Sequence, residues 1–391
     1  MKIPKYMTKF KCIGTPCEDN CCVGWDVDID EKTFKKYVQI GDKQLKRDVN
    51  KYVSINPYSY DPNVDFAFIS LNEQRRCQFL NSENLCLFHK IVGEAYLSNV
   101  CATFPRIYNR VDKSLELSAT ASCPEVVKLL DDEDAMSFVQ ISDEAPRLMS
   151  YDLSQGDKRY RGLLPSKLLF LRNLLVKTIM DRSYPLEDRI YMISIFVMKA
   201  FDMEKKNKLD QLEIVLEREV LGFKELYEEN ECVIGNPFDL GVFVELTESI
   251  VELLLPSTSD RYNELVSIAE AAVNEREITP EAFTLEIAKE DTLLTNYYGN
   301  QIYRTLFPFT EGTHVEDALK LFLVRYAILK RHMIGLSADG KMTKDNLSKY
   351  LQSFSKVFEH HKHFEVDVLE LLKMNKINSK SLLKGVIGII E

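Results

Sequence analysis

From about residue 160 onward the chain repeats one pattern: apolar residues return every three or four positions, with polar ones between them. Leu168, Leu169, Leu171, Leu174, Leu175 and Ile179 keep this spacing, and Lys167, Arg172 and Lys177 take other positions. That period predicts a helix with one apolar stripe. Ser183-Tyr-Pro185-Leu-Glu187-Asp188 predicts the start of the next helix. Proline suits a first turn, and acids there face the positive end of the helix dipole. The same spacing predicts helices over roughly 186–203, 208–230, 240–255, 260–275, 315–333 and 343–361. Pro237, Pro256, Pro280 and Pro308 fall between these segments or at their edges. The basic segment near 166–182 reads as a core helix, and contact with a membrane or a second copy is the other use of such a helix.

Residues 1–123 have another texture. Short apolar patches alternate with turns such as Asn56-Pro57, Asp61-Pro62-Asn63 and Asn81-Ser82-Glu83-Asn84. Cys77-Gln-Phe-Leu-Asn-Ser-Glu-Asn-Leu-Cys86 predicts a tight hairpin whose two short arms each end in a cysteine. Asp131-Asp132-Glu133-Asp134 reads as a linker or a solvated helix end. The expected fold is mainly α: a multi-helix body carrying an irregular, cysteine-rich, metal-binding module. The expected divisions are that module at 1–125, an acidic linker at 126–159 and an α-helical body at 160–391. No fixed-period repeat or low-complexity tract interrupts the chain.

The cysteines change the picture most. Eight of the nine lie in the first 123 residues, and Cys232 stands alone in the rest. No apolar run follows the basic residues of the opening MKIPKYMTKFKC, so no secretory signal is predicted. The longest apolar stretch, near Tyr191–Ala200, falls well short of the roughly 20 residues that a membrane-spanning helix needs. The expected compartment is therefore the cytoplasm, where thiols stay reduced. Clustered thiols there read as metal or cluster ligands rather than disulfides. Buried structural cysteine, packed as a small hydrophobe, is the plainer alternative.

The spacing is Cys12-x4-Cys17-x3-Cys21-Cys22, then Cys77-x8-Cys86-x14-Cys101, then Cys123. Zinc and a [4Fe–4S] cluster would each take four sulfurs. The pattern lacks the paired C-x2-C of zinc ribbons and the C-x2-C-x2-C of bacterial ferredoxins. It also lacks the C-x3-C-x2-C of radical SAM enzymes, because Gly24 stands where the third cysteine belongs. Spacing thus leaves open which metal and which four thiols.

Charge and glycine narrow the function classes. The net charge is −10; residues 1–123 carry 17 basic and 15 acidic side chains, or +2, which leaves −12 for the remainder. Neither part has the basic excess of a nucleic-acid binder. Glycine is scarce, 15 of 391, and neither G-x-G-x-x-G nor a P-loop motif occurs. The usual ways of holding a nucleotide are absent.

Several other residues carry candidate chemistry. Trp25, the single tryptophan, directly follows the double cysteine and opens Trp25-Asp26-Val27-Asp28-Ile29-Asp30, whose alternating acids suit a cation or an exposed strand face. Tyr297, Tyr298, Asn300 and Arg304, within Asn296–Phe309, make a polar wall for an organic ligand. Tyr298, Ile302 and Leu306 also keep the spacing of a core face. His360-His361-Lys362-His363 reads as a solvated helix end rather than a metal site, and His89 as an exposed polar residue or a donor behind Cys86. No nucleophile–histidine–acid arrangement stands at usable spacing.

The run Phe10-Lys-Cys12-Ile-Gly-Thr-Pro-Cys17-Glu-Asp-Asn-Cys21-Cys22-Val-Gly-Trp25 resembles the opening of the flagellin lysine-N-methylases, the FliB family. So do Cys77-Gln-Phe-Leu-Asn…Leu-Cys86, Cys101-Ala-Thr-Phe-Pro105-Arg106 and Ser118…Ser122-Cys123-Pro124-Glu125. The second and third of these four stretches also resemble cysteine domains that chelate zinc or iron. Tyr184–Arg189 and Asn296–Phe309 are similar to the family in the helical body. The resemblance implies a cytosolic enzyme that moves a methyl group from S-adenosylmethionine to lysine ε-amines of flagellin. It implies a [4Fe–4S] cluster, with zinc as the alternative, drawn from Cys17, Cys21, Cys22, Cys77, Cys86 and Cys101, with Cys12 and Cys123 as further candidates. Trp25, Tyr297, Tyr298, Asn300 and Arg304 are the candidates for holding such a donor. Adjacent Cys21 and Cys22 would point apart in an extended chain, leaving one for a second centre or the core. The other class of function is a non-catalytic zinc- or iron-bearing module whose helical body recognises a partner. No nucleic acid and no transmembrane segment are expected; peripheral membrane association and a second metal centre stay open.

Overall fold

The computed structural model describes residues 1–142, 146–153, 165–228, 241–255, 257, 259–275, 280–309, 314–361 and 363–387. Cys232, Pro237, Pro256 and Lys362 lie outside the described residues, as do 143–145 and 154–159 of the expected linker.

The first third is not merely irregular. In chain order it holds β1 (Lys2–Pro4), β2 (Val27–Ile29), α1 (Glu31–Val38), α2 (Lys43–Tyr52), β3 (Val53–Ile55), β4 (Ala67–Ile69), α3 (Leu87–Val92), α4 (Asn99–Thr103), β5 (Arg106–Val111), β6 (Ser114–Ala119), α5 (Pro124–Leu130), β7 (Phe138–Gln140) and β8 (Tyr151–Leu153). Most of the strands have three residues, too few for a period of two to announce them. They form a five-stranded sheet, β7-β1-β6-β5-β8, and a three-stranded sheet, β2-β4-β3. The alternation at 26–30 is a strand, with Val27 and Ile29 buried on one face. Its last acid, Asp30, is buried; it caps α1 by accepting from the backbone N–H of Thr33 at 2.9 Å and also accepts from that of Asn99, at the start of α4, at 2.8 Å.

The rest is helical, and the fold is mainly α. It comprises α6 (Pro165–Met180), α7 (Leu186–Lys205), α8 (Leu212–Glu228), α9 (Gly241–Leu254), α10 (Asp260–Glu275), α11 (Pro280–Lys289), α12 (Asp291–Arg304), α13 (Val315–Ala338), α14 (Lys344–His360), α15 (Phe364–Met374) and α16 (Ser379–Ile387). The start of α7 falls where the Pro185-Leu-Glu187-Asp188 signal puts it. Helix α13 is buried on nearly every side by α7, α9, α10, α15 and α16. Gly335 lets α10 come close: a Cβ there would sit 2.1 Å from the carbonyl oxygen of Ala269. The charged residues of α13 are paired inside. Arg331 grips Glu270 through Nε (2.8 Å) and one terminal nitrogen (2.7 Å), and His332 Nδ1 meets the Tyr350 hydroxyl at 2.6 Å.

Among the described residues two large hydrophobic cores organise the fold, beside a small cluster of Val111, Leu153, Leu168 and Leu306. The smaller is built from Val27, Ile29, Tyr37, Ile40, Leu45, Val49, Ala67, Ile69, Cys77, Phe79 and Phe88, with Cys22 and Cys86 packed against it. The larger joins the helices to Met1–Phe10 and to β5, β6 and α5. Arg172, which the spacing sets among the polar positions of α6, is fully buried. Its guanidinium holds Glu116 of β6 in a double hydrogen bond of 2.7 Å each. The pairing of sheet with helix needs a partner 56 residues away, which local periodicity does not reveal.

Candidate functional site at the seam between the cysteine loop and helix α14

The loop from Cys12 to Trp25 is shaped by backbone turns. The N–H of Cys17 bonds to the Gly14 carbonyl at 3.0 Å, and the Asn20 side chain accepts from the Cys22 N–H at 2.8 Å. Gly24, at φ +98°, turns the chain from the thiols toward Trp25, a conformation that favours glycine. The Cys77 N–H bonds to the Cys22 carbonyl at 2.9 Å, which fixes the hairpin region against the loop. Leu80 bridges to Cys86, closing the predicted knuckle, and Cys86 then opens α3. Cys101 rides on α4, whose cap is Ser98.

These turns gather thiols from four segments. Cys21 and Cys22 do not point apart: they stand in a turn, not an extended strand, and their side chains are hydrogen-bonded. The Cys22 hydrogen bond pulls the Cys21 thiol below its ordinary range, with help from the ammonium of Lys356, while Cys22 is pushed up. Burial pushes Cys77 and Cys101 up to about 12, and their neighbours Cys86 and Cys21 add to it. Cys123 is likewise pushed up to about 12 by burial, with Cys17 and Cys21 adding. Cys17 feels Cys21 and Cys12. The thiols thus divide between a Cys22–Cys77–Cys86–Cys101 side and a Cys12–Cys17–Cys123 side, and Cys21 is in electrostatic range of both. Among the described residues, no three His, Cys, Asp or Glu side chains are close enough to grip a metal ion as they stand. The donor chemistry suits a thiophilic metal or cluster, since thiols that raise one another's pKa are relieved by a shared cation.

Helix α14 supplies the opposite wall. Trp25 packs on Phe104 (ring centroids 5.3 Å apart) and on His360 (4.1 Å), and the Lys356 ammonium lies 4.9 Å from its ring centre. Lys356 is buried and ion-paired with Asp19 at 2.6 Å. Gln352 donates to Asp19 at 2.8 Å and to the Ser122 carbonyl at 2.9 Å. Arg304 pairs with Glu359 at 2.7 Å, and Glu359 accepts from Thr120. Cys21, Cys101 and His360 are exposed at this seam. Desolvation pushes His360 down to about 4, with Lys356 and Arg304 contributing. Beside the seam lies an open cleft of about 380 Å³, lined by Glu18, Lys128, Arg261, Lys344, Lys349 and Gln352 among others.

The structure does not bring the five donor-binding candidates onto one surface. Trp25 and Arg304 reach the seam. Asn300 is buried, accepting from the Tyr6 hydroxyl at 2.7 Å and donating to the Ala119 carbonyl at 3.0 Å. Tyr297 bonds to Ser355 at 3.0 Å, and with Tyr298 it lines a separate narrow cavity. Sequence reasoning passed over Asp19, Gln352, Lys356 and Glu359. A signal existed: Gln352, Lys356, Glu359 and His360 form a polar stripe at helical spacing on a helix otherwise rich in buried residues.

The sequence model of the FliB lysine N-methylase C-terminal domain matches residues 172–384, more than half of the chain. The chain belongs to the FliB lysine N-methylase family. The FliB match covers the wall that carries Arg304, Lys356 and His360; the eight clustered thiols lie outside the matched residues. The chain is 27% identical over 209 residues to a protein named lysine-N-methylase from Salmonella typhimurium, covering 53% of this chain and 48% of that one. It is 31% identical over 137 residues to the flagellar biosynthetic protein FliU of Salmonella muenchen, covering 34% of this chain and 79% of that one. The chain spans about half the length of the curated lysine-N-methylases it matches. No solved structure matches. Among the described residues of this FliB-family chain, no helix is long and apolar enough to cross a membrane.

Proposed function

We propose that the protein is a lysine N-methyltransferase that moves a methyl group from S-adenosylmethionine to lysine ε-amines of flagellin, in the cytoplasm. Membership of the FliB family supports the reaction class, and the FliU relative, named for flagellar biosynthesis, supports the substrate. The observation that carries the site is the seam where Lys356, whose charge reaches Cys21, lies against Trp25, and Trp25 packs on His360. We assign the cluster to the thiols Cys21, Cys22, Cys77, Cys86 and Cys101, with Cys17 from the initial pool, and leave Cys12 and Cys123 for its support or a second centre. A [4Fe–4S] cluster held there would supply an iron atom able to bind the methionine end of the donor.

The chain's own residues meet the other demands. The amine's lone pair forms the new N–C bond, the electrons of the S–C bond return to sulfur, and the product ammonium releases its proton to water. The amine must therefore arrive neutral. Desolvation at the seam, which disfavours the charged form of His360, disfavours an ammonium there as well. The adjoining cleft of about 380 Å³ is the place we assign to the donor.

The test mixes the anaerobically purified protein with methyl-labelled S-adenosylmethionine and flagellin. Label on flagellin lysines is the expected result. An iron-loaded, brown protein that transfers none under reducing conditions would sink the proposal. A serine scan of the cysteines divides ligands from bystanders: loss of visible absorbance marks a ligand, and bleaching confined to Cys12 and Cys123 would overturn the assignment.

A further inference from the structure

Lys356 stands on α14 with 5% of its surface exposed, where a lysine needs a compensating partner. Its ammonium pairs with Asp19 Oδ1 at 2.6 Å and lies 4.9 Å from the centre of the Trp25 ring. Asp19 stands midway between Cys17 and Cys21 in the chain. Its other oxygen accepts from Gln352 Nε2 at 2.8 Å, so α14 holds both ends of the carboxylate. Gln352 is itself fixed: it donates to the Ser122 carbonyl at 2.9 Å, and its oxygen accepts from Arg261 of α10 at 3.1 Å. Two helices thus hold one ammonium against the cysteine loop. The Asp19–Lys356 pair does not cancel at the thiols. At Cys21 the ammonium outweighs the carboxylate, so the pair presents a positive field there.

We infer that Lys356 is the counter-charge of the cluster, a positioning residue that acts through Cys21 and favours the reduced form. The inference rests on the cluster assigned to these thiols and adds which residue sets its reduction potential. An iron–sulfur cluster held by thiolates is negative overall, and a one-electron reduction makes it more so. Negative charge taken out of water is costly unless a cation stands beside it. Lys356 supplies that cation from a side chain already stripped of most of its water, so its charge is poorly screened. Asp19 has the opposite sign and moderates the effect. The same ammonium draws electron density from iron, which makes the metal a better acceptor for the methionine end of the donor. The counter-charge also crosses the boundary of the FliB match: Lys356 lies inside residues 172–384, and the thiols it serves lie outside.

The test is a potentiometric titration of the anaerobically purified, iron-loaded full chain, with dithionite as electron donor and the EPR signal of the reduced cluster as readout. Lys356→Met keeps the length of the side chain and removes the charge. It should lower the ratio of reduced to oxidised cluster at a given potential about tenfold, a fall in midpoint of about 59 mV for a one-electron couple. Asp19→Asn should move the midpoint the other way, because Lys356 keeps the cluster as its partner. Lys356→Arg retains the charge and should leave the ratio within about twofold. Unchanged midpoints in Lys356→Met and Asp19→Asn overturn the inference. So does a shift of the same sign in both, which a loosened loop would produce. Should Lys356→Met fail to fold or to hold iron, Asp19→Asn decides, and an unchanged or lower midpoint overturns the inference. A wild-type chain that takes up no iron overturns it as well. Flagellin labelling with unaltered midpoints would refute the counter-charge and leave the methyltransferase standing. Opposite shifts in the two variants, with no methyl transfer from the iron-loaded wild type, would do the reverse.

Discussion

The two cores are closed in different ways. The larger one runs through sheet and helices and holds its fully buried arginines in pairs, as with Arg172–Glu116 and Arg331–Glu270. The smaller one has eleven buried residues, few for independent stability, and its border is made of thiols: Cys77 within it, Cys22 and Cys86 against it. One core is finished by the chain itself. The other ends on groups whose natural partner is a metal. The lesson is that stability and chemistry are divided here by region, so damage should divide the same way.

The strongest attack on the larger core is Arg172→Ala. It strands a buried carboxylate on Glu116 and should cost roughly 3–5 kcal/mol, read as a lower denaturation midpoint of the helical signal. Replacing both partners with apolar residues of similar volume should recover most of it, and failure to recover would mean that the pair holds the sheet in place by more than charge. Against the smaller core, Phe88→Ala removes a ring stacked 4.0 Å from Tyr37. It should cost about 3 kcal/mol or more locally. A thiol-reactive dye should then label Cys77, which is buried, while the helical midpoint stays in place. A shared loss of both would show the cores to be one cooperative unit. On the proposed cluster assignment, a chelator should weaken the same small core and spare the body.

Gly335→Ala is a smaller blow. Its new Cβ meets the backbone of α10, so the helices must part, at about 1–3 kcal/mol. The mildest probe is acid. In the metal-free chain the folded pKa of His360 lies below its ordinary 6.5, so the seam is most stable above pH 6.5 and loses stability as pH falls toward about 4. Glu270 is held down at about 2 in the body: burial opposes this, and the hydrogen bonds from Arg331 and His332 outweigh it. Its contribution is full above 4.5 and is lost between 4.5 and about 2. Thiol accessibility should therefore rise at a higher pH than that at which the helical signal falls. Coincident transitions would erase the distinction.

How much of this is legible in the sequence follows from the range of each interaction. Helices α6 to α10, α13 and α14 are read from their own apolar spacing because a helix is a local object. Helices α11, α15 and α16 were not marked, being short; α12 showed itself only as core spacing. The larger sheet was invisible, since the partners of β1 lie about 110 to 140 residues away. The cysteines announced a site by number alone. They did not announce its other wall: the link between Asp19 and Lys356 spans 337 residues. Trp25 was noticed as solitary, yet nothing near it in sequence points to His360.

Strand β1 lies inside its sheet, between β6 and β7, and Tyr6 just after it bonds to Asn300, 294 residues later. On the ribosome, at roughly 5–20 residues per second, Tyr6 would wait about 15–60 s for that partner to be made. Tyr6 is thus made long before its helical partner, although the strand partners of β1 follow within about 140 residues. The nascent chain keeps Tyr6 out of its final bond while the helices that will receive it are still being translated.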